Sequence, residues 1–250
     1  MSQEEVEAKI KDYGNVDESL STAFEEAENK VSQLAINSDI FQALPTIEFG
    51  VNIHHAKVPR STQELIHLEA VKGDRHFVQL LGRSKEDEIV TEKFGISFTD
   101  WILQREKTTD EIKLKWATDI AEGLSILHSK NILHKDISTN NILVKGDKAI
   151  ICDLESRWTI DCAKSPEYVQ GSKYDKRADV YGFGTLLWSI ERKNMPRPHA
   201  SLECTGIMKE IMSKCLSNDP ARRPTIDEAL VELRSLSPLV TRGISIQHWF

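Results

Sequence analysis

The sequence predicts an α+β fold, in which a small strand-rich part with one helix precedes a larger helical part. Residues 41–60 carry prolines and a glycine around short apolar runs, and the strand-like runs FVQLLG (77–82) and EIVTEKF (88–94) follow. After Phe94, apolar residues recur every three or four positions, as on one face of a helix. The 250 residues are long enough for one large domain or two small lobes with a buried core.

An acidic helix is predicted in front of this fold, over residues 1–40. The segment holds ten acidic and three basic residues, whereas the rest of the chain has 29 of each, so the net charge of −7 belongs to this segment. Its apolar stripe consists of Leu20, Phe24, Ala27, Val31 and Leu34. Two heptads are few for a coiled coil. The helix therefore either serves as a partner helix for another protein or packs on its own domain.

Composition excludes several classes of function. No part of the chain has the basic excess of a nucleic-acid binder, and no run of about 18 apolar residues predicts a membrane span. The first residues lack the pattern of a secretory signal. Four distant cysteines without a C-x-x-C motif predict free thiols in a reducing, cytoplasmic compartment.

Helix starts are predicted from capping residues. Ser61 and Glu64 fit a capping box at the start of a helix that ends near Gly73, and Thr99 is placed to cap a helix at 100–107. A buried stripe follows at Ile112, Trp116, Ile120, Leu124 and Leu127. After a hairpin that turns at Gly146-Asp147, helices are predicted over 179–192, 206–217 and 225–236, the last with a Thr225/Glu228 capping box.

The stretch ILHKDISTNNILV (132–144) carries the chemistry. Asp136 is followed five residues later by Asn141, and a strand that starts at once is paired with one that ends on Asp153. Carboxylate and amide oxygens are the hard ligands that Mg²⁺ prefers. A further carboxylate beside the metal orients a substrate hydroxyl.

This stretch resembles the catalytic loop H-R-D-x-x-x-x-N of the eukaryotic protein kinase superfamily, with Lys135 in the Arg position. The resemblance implies a two-lobed fold with a reduced strand-rich N-lobe and a mainly helical C-lobe. It also implies that Asp136 is the catalytic base, and that Asn141 and Asp153 bind Mg²⁺ beside ATP.

Further motifs follow in the family's order. SPE (165–167) resembles A-P-E, and Asp179 opens a segment that resembles the long buried helix of the large lobe, where it would hold the catalytic-loop backbone. In CLSNDPARRPT, Arg223 would pair with Glu167. This large lobe resembles those of the tyrosine kinase and tyrosine-kinase-like groups.

The resemblance is weaker in the small lobe. HHAKV (54–58) offers Lys57 as the phosphate-binding lysine, with Glu69 as its ion-pair partner and Glu64 as the competitor for that role. The remaining implied nucleotide contacts are Thr91 in the gatekeeper position, the backbone of Glu92 and Phe94, and Leu143.

Four departures from the family limit what the resemblance implies. No glycine-rich loop precedes Lys57, so weaker ATP binding is expected. The D-F-G motif reads Asp153-Leu154-Glu155, and the activation segment is short. Ser138 stands where serine/threonine kinases carry a lysine.

These observations define the predicted organisation and its alternatives. Residues 1–40 form the acidic helix, 41–94 the reduced N-lobe and hinge, 95–240 the C-lobe and 241–250 a tail. The chain is expected to be a divergent protein kinase that acts on a protein substrate, and the alternative is a pseudokinase that binds or scaffolds a signalling partner. A small-molecule phosphotransferase is disfavoured, because SPE, Asp179 and Arg223 belong to the protein kinase pattern.

Overall fold

The computed structural model describes residues 18–104, 107–154, 164–171, 173–196 and 201–241. The chain divides into two units. The first comprises the residues up to Ala70 together with Gln79–Glu92, and the second comprises Val71–Val78 and the residues from Lys93 onward. Each unit contains helices and an antiparallel sheet, so the predicted α+β class is confirmed.

The first unit has a sheet with the strand order β1-β3-β2. Its strands are β1 (His54–Lys57), β2 (Leu80–Arg83) and β3 (Ile89–Glu92), and its helices are α1 (Glu18–Ile36), α2 (Asp39–Gln42) and α3 (Thr62–Ala70). Ile89, Val90 and Thr91 of the central strand are all buried, as suits β-branched residues with a neighbouring strand on each side. Both strands predicted from the two apolar runs are therefore present.

The segment before β1 follows the edge of this sheet without forming a strand of its own. Thr46 makes a single parallel bridge with Arg83, and Ile47 N–H donates to Arg83 O at 2.8 Å. A Cβ on Gly82 would lie 2.2 Å from the carbonyl oxygen of Pro45, so only glycine fits where the two segments meet. Of the short strands expected over residues 41–60, the structure therefore has β1 and, before it, this single bridge.

Helix α1 lies within the predicted acidic segment and packs against α3 of the same unit. The earlier residues 1–17 fall outside the described part of the chain. Ala35 is fully buried whereas Leu34 is 67% exposed, so the predicted stripe is wrong at Leu34. Positions 27, 31 and 35 recur every four residues and form the inward face instead. Of the two alternatives, packing on its own domain describes this part of the helix.

The second unit has a sheet with the order β4-β5-β6. Its strands are β4 (Ile96–Ser97), β5 (Ile142–Lys145) and β6 (Lys148–Ile151). Its helices are α4 (Phe98–Leu103), α5 (Asp110–Ser129), α6 (Pro166–Val169), α7 (Lys176–Arg192), α8 (Lys209–Cys215) and α9 (Ile226–Thr241), with a 3₁₀ turn at Pro220–Arg222. Gly146 has a positive φ of 61° in the turn between β5 and β6, where the hairpin turn was predicted.

Helix α5 is central to the core of this unit, since it contacts β6, α7 and α9. Four of the five residues in its predicted stripe are buried, and Ile112 is half-buried. Helix α7 is buried around most of its circumference, as its apolar sequence requires. At Gly184 a Cβ would lie 2.9 Å from Cys215 Cβ, so α7 and α8 approach closely there.

Both predicted capping boxes begin a helix. Ser61 Oγ accepts the N–H of Glu64 at 3.2 Å at the start of α3. At the start of α9, Thr225 Oγ1 accepts the N–H of Glu228 at 3.2 Å, and the Glu228 carboxylate accepts the N–H of Thr225 at 2.7 Å. Two donors of the first turn are thereby satisfied in α9.

Three predicted helix starts are wrong, including that of α8, which begins at Lys209 and not at residue 206. Ser97, not Thr99, caps α4 by accepting the N–H of Asp100 at 3.0 Å, because β4 ends at Ser97 and the helix begins at once. Helix α7 begins at Lys176, with Asp175 as its cap, so Asp179 lies inside the first turn rather than at its start.

The described residues include three of the four cysteines. Within the described residues, Cys204 and Cys215 are free thiols and Cys152 directly follows β6, while Cys162 lies outside the described residues. Burial raises the pKa of the Cys215 thiol to about 12, which makes it an inert packing group. Across the described residues, no helix combines the length and apolar character needed to cross a bilayer.

Candidate active site

The predicted catalytic loop is held by Asp179, which is fully buried in the first turn of α7. Its Oδ2 accepts the N–H of His134 at 3.0 Å, and its Oδ1 accepts the N–H of Lys135 at 2.9 Å. His128 Nε2 lies 3.0 Å from Oδ2, and the Tyr174 hydroxyl donates to Oδ1 at 2.9 Å. The predicted hold of Asp179 on the loop backbone is therefore confirmed.

Asp179 remains ionised despite its burial. Burial opposes ionisation, but the hydrogen bond and charge of His128 and the N–H of Lys135 are among the interactions that together lower the pKa of Asp179. Burial and the nearby Asp179 charge raise the pKa of Tyr174 well above its ordinary value. Tyr174 is consequently a hydrogen-bond donor, and Asp179 an acceptor, across neutral pH.

His134 links the loop to the end of β6. Its Nδ1 accepts the N–H of Asp136 at 3.3 Å, so the ring proton lies on Nε2, which donates to the carbonyl oxygen of Cys152 at 3.1 Å. The ring is fully buried. His134 therefore has a structural role, because it joins the loop to the end of β6.

Asp136 and Asn141 form one hydrogen-bonded pair. Asn141 Nδ2 donates to Asp136 Oδ2 at 2.7 Å and to the carbonyl oxygen of Asp136 at 3.0 Å. Both residues are buried. The carbonyl of Asn141 also accepts the N–H of Cys152 at 3.0 Å, which brings Asn141 beside the residue that precedes Asp153.

The donor set at this point fits Mg²⁺. The Asn141 amide nitrogen donates to Asp136, so its Oδ1 is the atom that would serve as a ligand, and Asp153 would add a carboxylate. Both are hard oxygen ligands. Asp153 adopts a left-handed φ of 60°, and the fully buried Leu154 follows it. Glu155 lies outside the described residues.

The predicted ion pair of Arg223 and Glu167 is present and bidentate. Arg223 Nη1 and Nη2 lie 2.6 and 2.7 Å from the two carboxylate oxygens of Glu167. Arg223 Nε also donates to the carbonyl oxygen of Ser217 at 2.8 Å, and its guanidinium lies 4.9 Å from the ring centre of Tyr181. The pair ties α6 to the segment before α9.

Lys57 forms its ion pair with Glu64 and not with Glu69, the partner preferred from the sequence. Lys57 Nζ lies 2.5 Å from Glu64 Oε1, and Glu64 Oε2 accepts the N–H of Arg60 at 2.8 Å. Glu69 is five residues further along α3, roughly 140° around the helix from Glu64. The partner of Lys57 is therefore reassigned from Glu69 to Glu64, which is buried in the first helical turn beside the end of β1.

The residues predicted to contact the nucleotide are distributed over both units. Thr91 is buried in β3, where its hydroxyl donates to the carbonyl oxygen of His55 at 3.4 Å, and Glu92 ends that strand. Phe94 and Leu143 are half-buried residues of the second unit. Their roles at a nucleotide remain predictions.

A further cluster of possible metal ligands, His76, Asp119 and Glu122, has no motif in the sequence that marks it. His76 lies 2.8 Å from Asp74 and 2.7 Å from Glu122, and Arg75 and Arg234 donate to Glu122 at 3.1 and 2.8 Å. Burial opposes ionisation of Glu122, but these donors lower its pKa overall. An ion-pair network accounts for the cluster, which ties residues 74–76 to α5.

Sequence reasoning also missed three residues that support the loop. His128 and Tyr174 bind Asp179, and Thr99 binds the loop directly. His128 and Thr99 lie about 50 and 40 positions from their partners, so no local motif marks them. Tyr174 precedes Asp179 by only five residues, and a tyrosine at that spacing was the available signal.

The Asp136–Asn141 pair lies in a loop whose backbone is anchored by the buried Asp179, and Asp153 follows the hairpin strand that comes next. The family model for the protein kinase domain matches residues 53–233, which is more than half of the chain. The chain therefore belongs to the protein kinase family.

Three similar proteins with curated names are named as protein kinases. The chain is 28% identical over 176 residues to a probable LIM domain-containing serine/threonine-protein kinase of Dictyostelium discoideum, which covers 58% of this chain and 27% of the relative. It is 25% identical over 218 residues to the serine/threonine-protein kinase STY17 of Arabidopsis thaliana, and the aligned region covers 73% of this chain and 38% of STY17. It is 23% identical over 167 residues to the serine/threonine/tyrosine-protein kinase HT1 of the same plant, and the aligned region covers 54% of this chain and 43% of HT1. The matches thus span less than half the length of these relatives.

Proposed function

We propose that the chain is an ATP-dependent protein kinase domain, which transfers the γ-phosphoryl group to a hydroxyl of a protein substrate. The observation that carries this proposal is the Asp136–Asn141 pair, in which a buried carboxylate is held at 2.7 Å by an amide whose oxygen can bind a metal. Phosphoryl transfer depends mainly on positioning and on neutralising charge. The names of the relatives support the same reaction class.

Each residue that matches the family's motifs has one role in this proposal. Asp136 accepts the proton of the acceptor hydroxyl, and its carboxylate is oriented by Asn141. Asn141 Oδ1 and Asp153 hold Mg²⁺, which when bound neutralises charge on the phosphate oxygens. Lys57, oriented by Glu64, pairs with the phosphates of ATP.

The proposal also covers the adenine site, the acceptor and the compartment. Thr91, the backbone of Glu92 and Phe94, and Leu143 surround the adenine in this proposal. The acceptor is a protein, as the names of the relatives suggest for them. The free thiols of Cys204 and Cys215 support a reducing, cytoplasmic location in this proposal.

A second candidate is a pseudokinase that binds or scaffolds a signalling partner, and the first unit favours it. Within the described residues, the sheet of that unit has three strands, and α2 and a loop occupy the segment before β1. A glycine-rich hairpin, whose backbone amides cover the phosphates of ATP, is lacking there. Reduced affinity for ATP is expected under both candidates, but only the kinase transfers phosphate.

A phosphotransfer assay distinguishes the two candidates. The purified chain is incubated with Mg²⁺, γ-labelled ATP and a mixed protein acceptor, and the Asp136→Asn variant is measured beside it. Asp147→Asn is the matched control, because Asp147 is a partly exposed carboxylate of the hairpin turn that pairs with Lys115. Loss of a general base costs about 10²–10⁴-fold in rate.

The expected result is transfer by the unaltered chain and by Asp147→Asn, and at least about a hundredfold less by Asp136→Asn. Equal background labelling by all three proteins would refute the kinase proposal. It would leave the pseudokinase as the function that the site supports.

A further inference from the structure

Thr99 makes a set of contacts that its predicted role as a helix cap does not explain. It is the second residue of α4, whose cap is Ser97. Thr99 Oγ1 lies 2.8 Å from Thr139 Oγ1 and 2.7 Å from Asn140 Oδ1, and the Thr99 N–H donates to the carbonyl oxygen of Thr139 at 3.1 Å. Three hydrogen bonds thus join the first turn of α4 to two consecutive residues of the catalytic loop.

The hydrogen atoms in this contact can be assigned. Asn140 Oδ1 only accepts, so the single proton of the Thr99 hydroxyl goes to Asn140, and the Thr139 hydroxyl donates to Thr99. The Thr99 N–H belongs to the first turn of a helix, where backbone donors have no partner within the helix. The Thr99 hydroxyl therefore donates one hydrogen bond and accepts one, and the Thr99 N–H donates one.

The contact lies one residue from the catalytic pair. Asn140 directly precedes Asn141, whose side chain holds Asp136, and the Asn141 N–H closes a turn onto the carbonyl oxygen of Ser138 at 3.1 Å. The Ser138 hydroxyl is buried and has no hydrogen-bond partner among the described residues. Residues 138–140 include no charged side chain, and among the described residues their side-chain hydrogen bonds are those of Thr139 and Asn140 to Thr99.

We propose that Thr99 is a positioning residue for phosphoryl transfer, which fixes the geometry of Asp136 and Asn141 through Thr139 and Asn140. The inference rests on the proposed kinase function for its kinetic consequence. Thr99 lies two residues after the end of β4, and its hydrogen bonds couple the first turn of α4 to the catalytic loop. A misplacement of about 1 Å in such a loop can cost about a hundredfold in rate.

The test compares Thr99→Val with Thr99→Ser. Valine keeps the shape and the backbone N–H but removes both hydroxyl contacts, whereas serine restores the hydroxyl. The matched control is Thr118→Val, because the Thr118 hydroxyl is also half-buried but donates to Leu114 O within α5. We expect kcat to fall about tenfold or more in Thr99→Val, with the KM for ATP changed less than about twofold. Thr99→Ser and Thr118→Val keep kcat near that of the unaltered chain.

Hydrogen exchange of the loop gives a readout that does not need activity. Removing the hydroxyl contacts is expected to speed amide exchange at residues 138–141 by about fivefold or more in Thr99→Val, and not in Thr118→Val. Unchanged exchange, or unchanged kcat with only a lower melting temperature, would overturn the proposal. If the unaltered chain transfers no phosphate, the kinase function fails, and the exchange result alone still decides whether Thr99 positions the loop.

Discussion

At the residue scale, the buried charge of Arg223 is stabilised by several partners. Its guanidinium is fully buried, and its donors are distributed over Glu167, the carbonyl oxygens of Ser217 and Arg177, and the face of Tyr181. Burial opposes ionisation of Glu167, but the hydrogen bonds from Arg223 outweigh it and lower the pKa of Glu167. The pair consequently fixes the geometry of α6 relative to the segment before α9.

The lowered pKa makes the stability of this pair depend on pH. Because the pKa of Glu167 is lower in the folded state, the stabilisation is complete above its unfolded pKa, near 4.5, and is lost as the pH falls through the folded value. Glu167→Gln is expected to lower the free energy of unfolding at pH 7 by about 2 kcal/mol, less than for a fully buried pair because Glu167 is partly exposed.

Urea unfolding at pH 7 and at steps down to pH 3 checks this prediction. The difference between the unaltered chain and Glu167→Gln should shrink as the pH falls below about 4.5, since glutamine does not titrate. A difference that stays constant over this range would contradict the assignment of the stabilisation to the ionised pair.

At the scale of elements, the backbone just before β4 lies close against β5 at Gly95. Gly95 has a positive φ of 41°, and a Cβ there would lie 2.0 Å from the carbonyl oxygen of Val144. Gly146, in the turn between β5 and β6, also has a positive φ, of 61°, but a Cβ at that position would have no neighbouring atom within 4 Å. A side chain at Gly146 would therefore meet backbone strain alone, whereas one at Gly95 would meet both backbone strain and a steric clash.

Alanine substitutions at these two positions should differ in cost. Gly146→Ala is expected to lower the free energy of unfolding by about 1–2 kcal/mol, the cost of a left-handed non-glycine residue. Gly95→Ala is expected to cost about 3 kcal/mol or more, because β5 must also move. Chemical unfolding of both variants checks the order, and equal costs would argue against the close contact.

The elements that could be predicted are those whose signals are local. The loop from Asp136 to Asn141, the hairpin turn at Gly146 and the Thr225/Glu228 capping box are each contained in a few adjacent residues. Thr99 was misassigned because capping propensity alone cannot tell where β4 ends. The pairing of Lys57 with Glu64 depends on how β1 meets α3, which no residue spacing records.

At the scale of the whole molecule, the two units differ in how much of the kinase pattern they keep. The second unit retains the loop, the Asp179 anchor and the Arg223–Glu167 pair. The first unit retains a paired lysine but, in its described residues, only three strands and no glycine-rich hairpin. The sequence predicted this asymmetry through its missing motif, whereas the packing of α1 on α3 required the structure.

The central claim is that chemistry is retained while nucleotide binding is weakened. Initial rates of phosphate transfer, measured against ATP concentration at saturating Mg²⁺, test it most directly. We predict a saturating, Mg²⁺-dependent rate with a KM for ATP at or above about 1 mM, the upper end of the usual range, because backbone amides over the phosphates are lacking. A rate that never exceeds that of Asp136→Asn at any ATP concentration would contradict the claim.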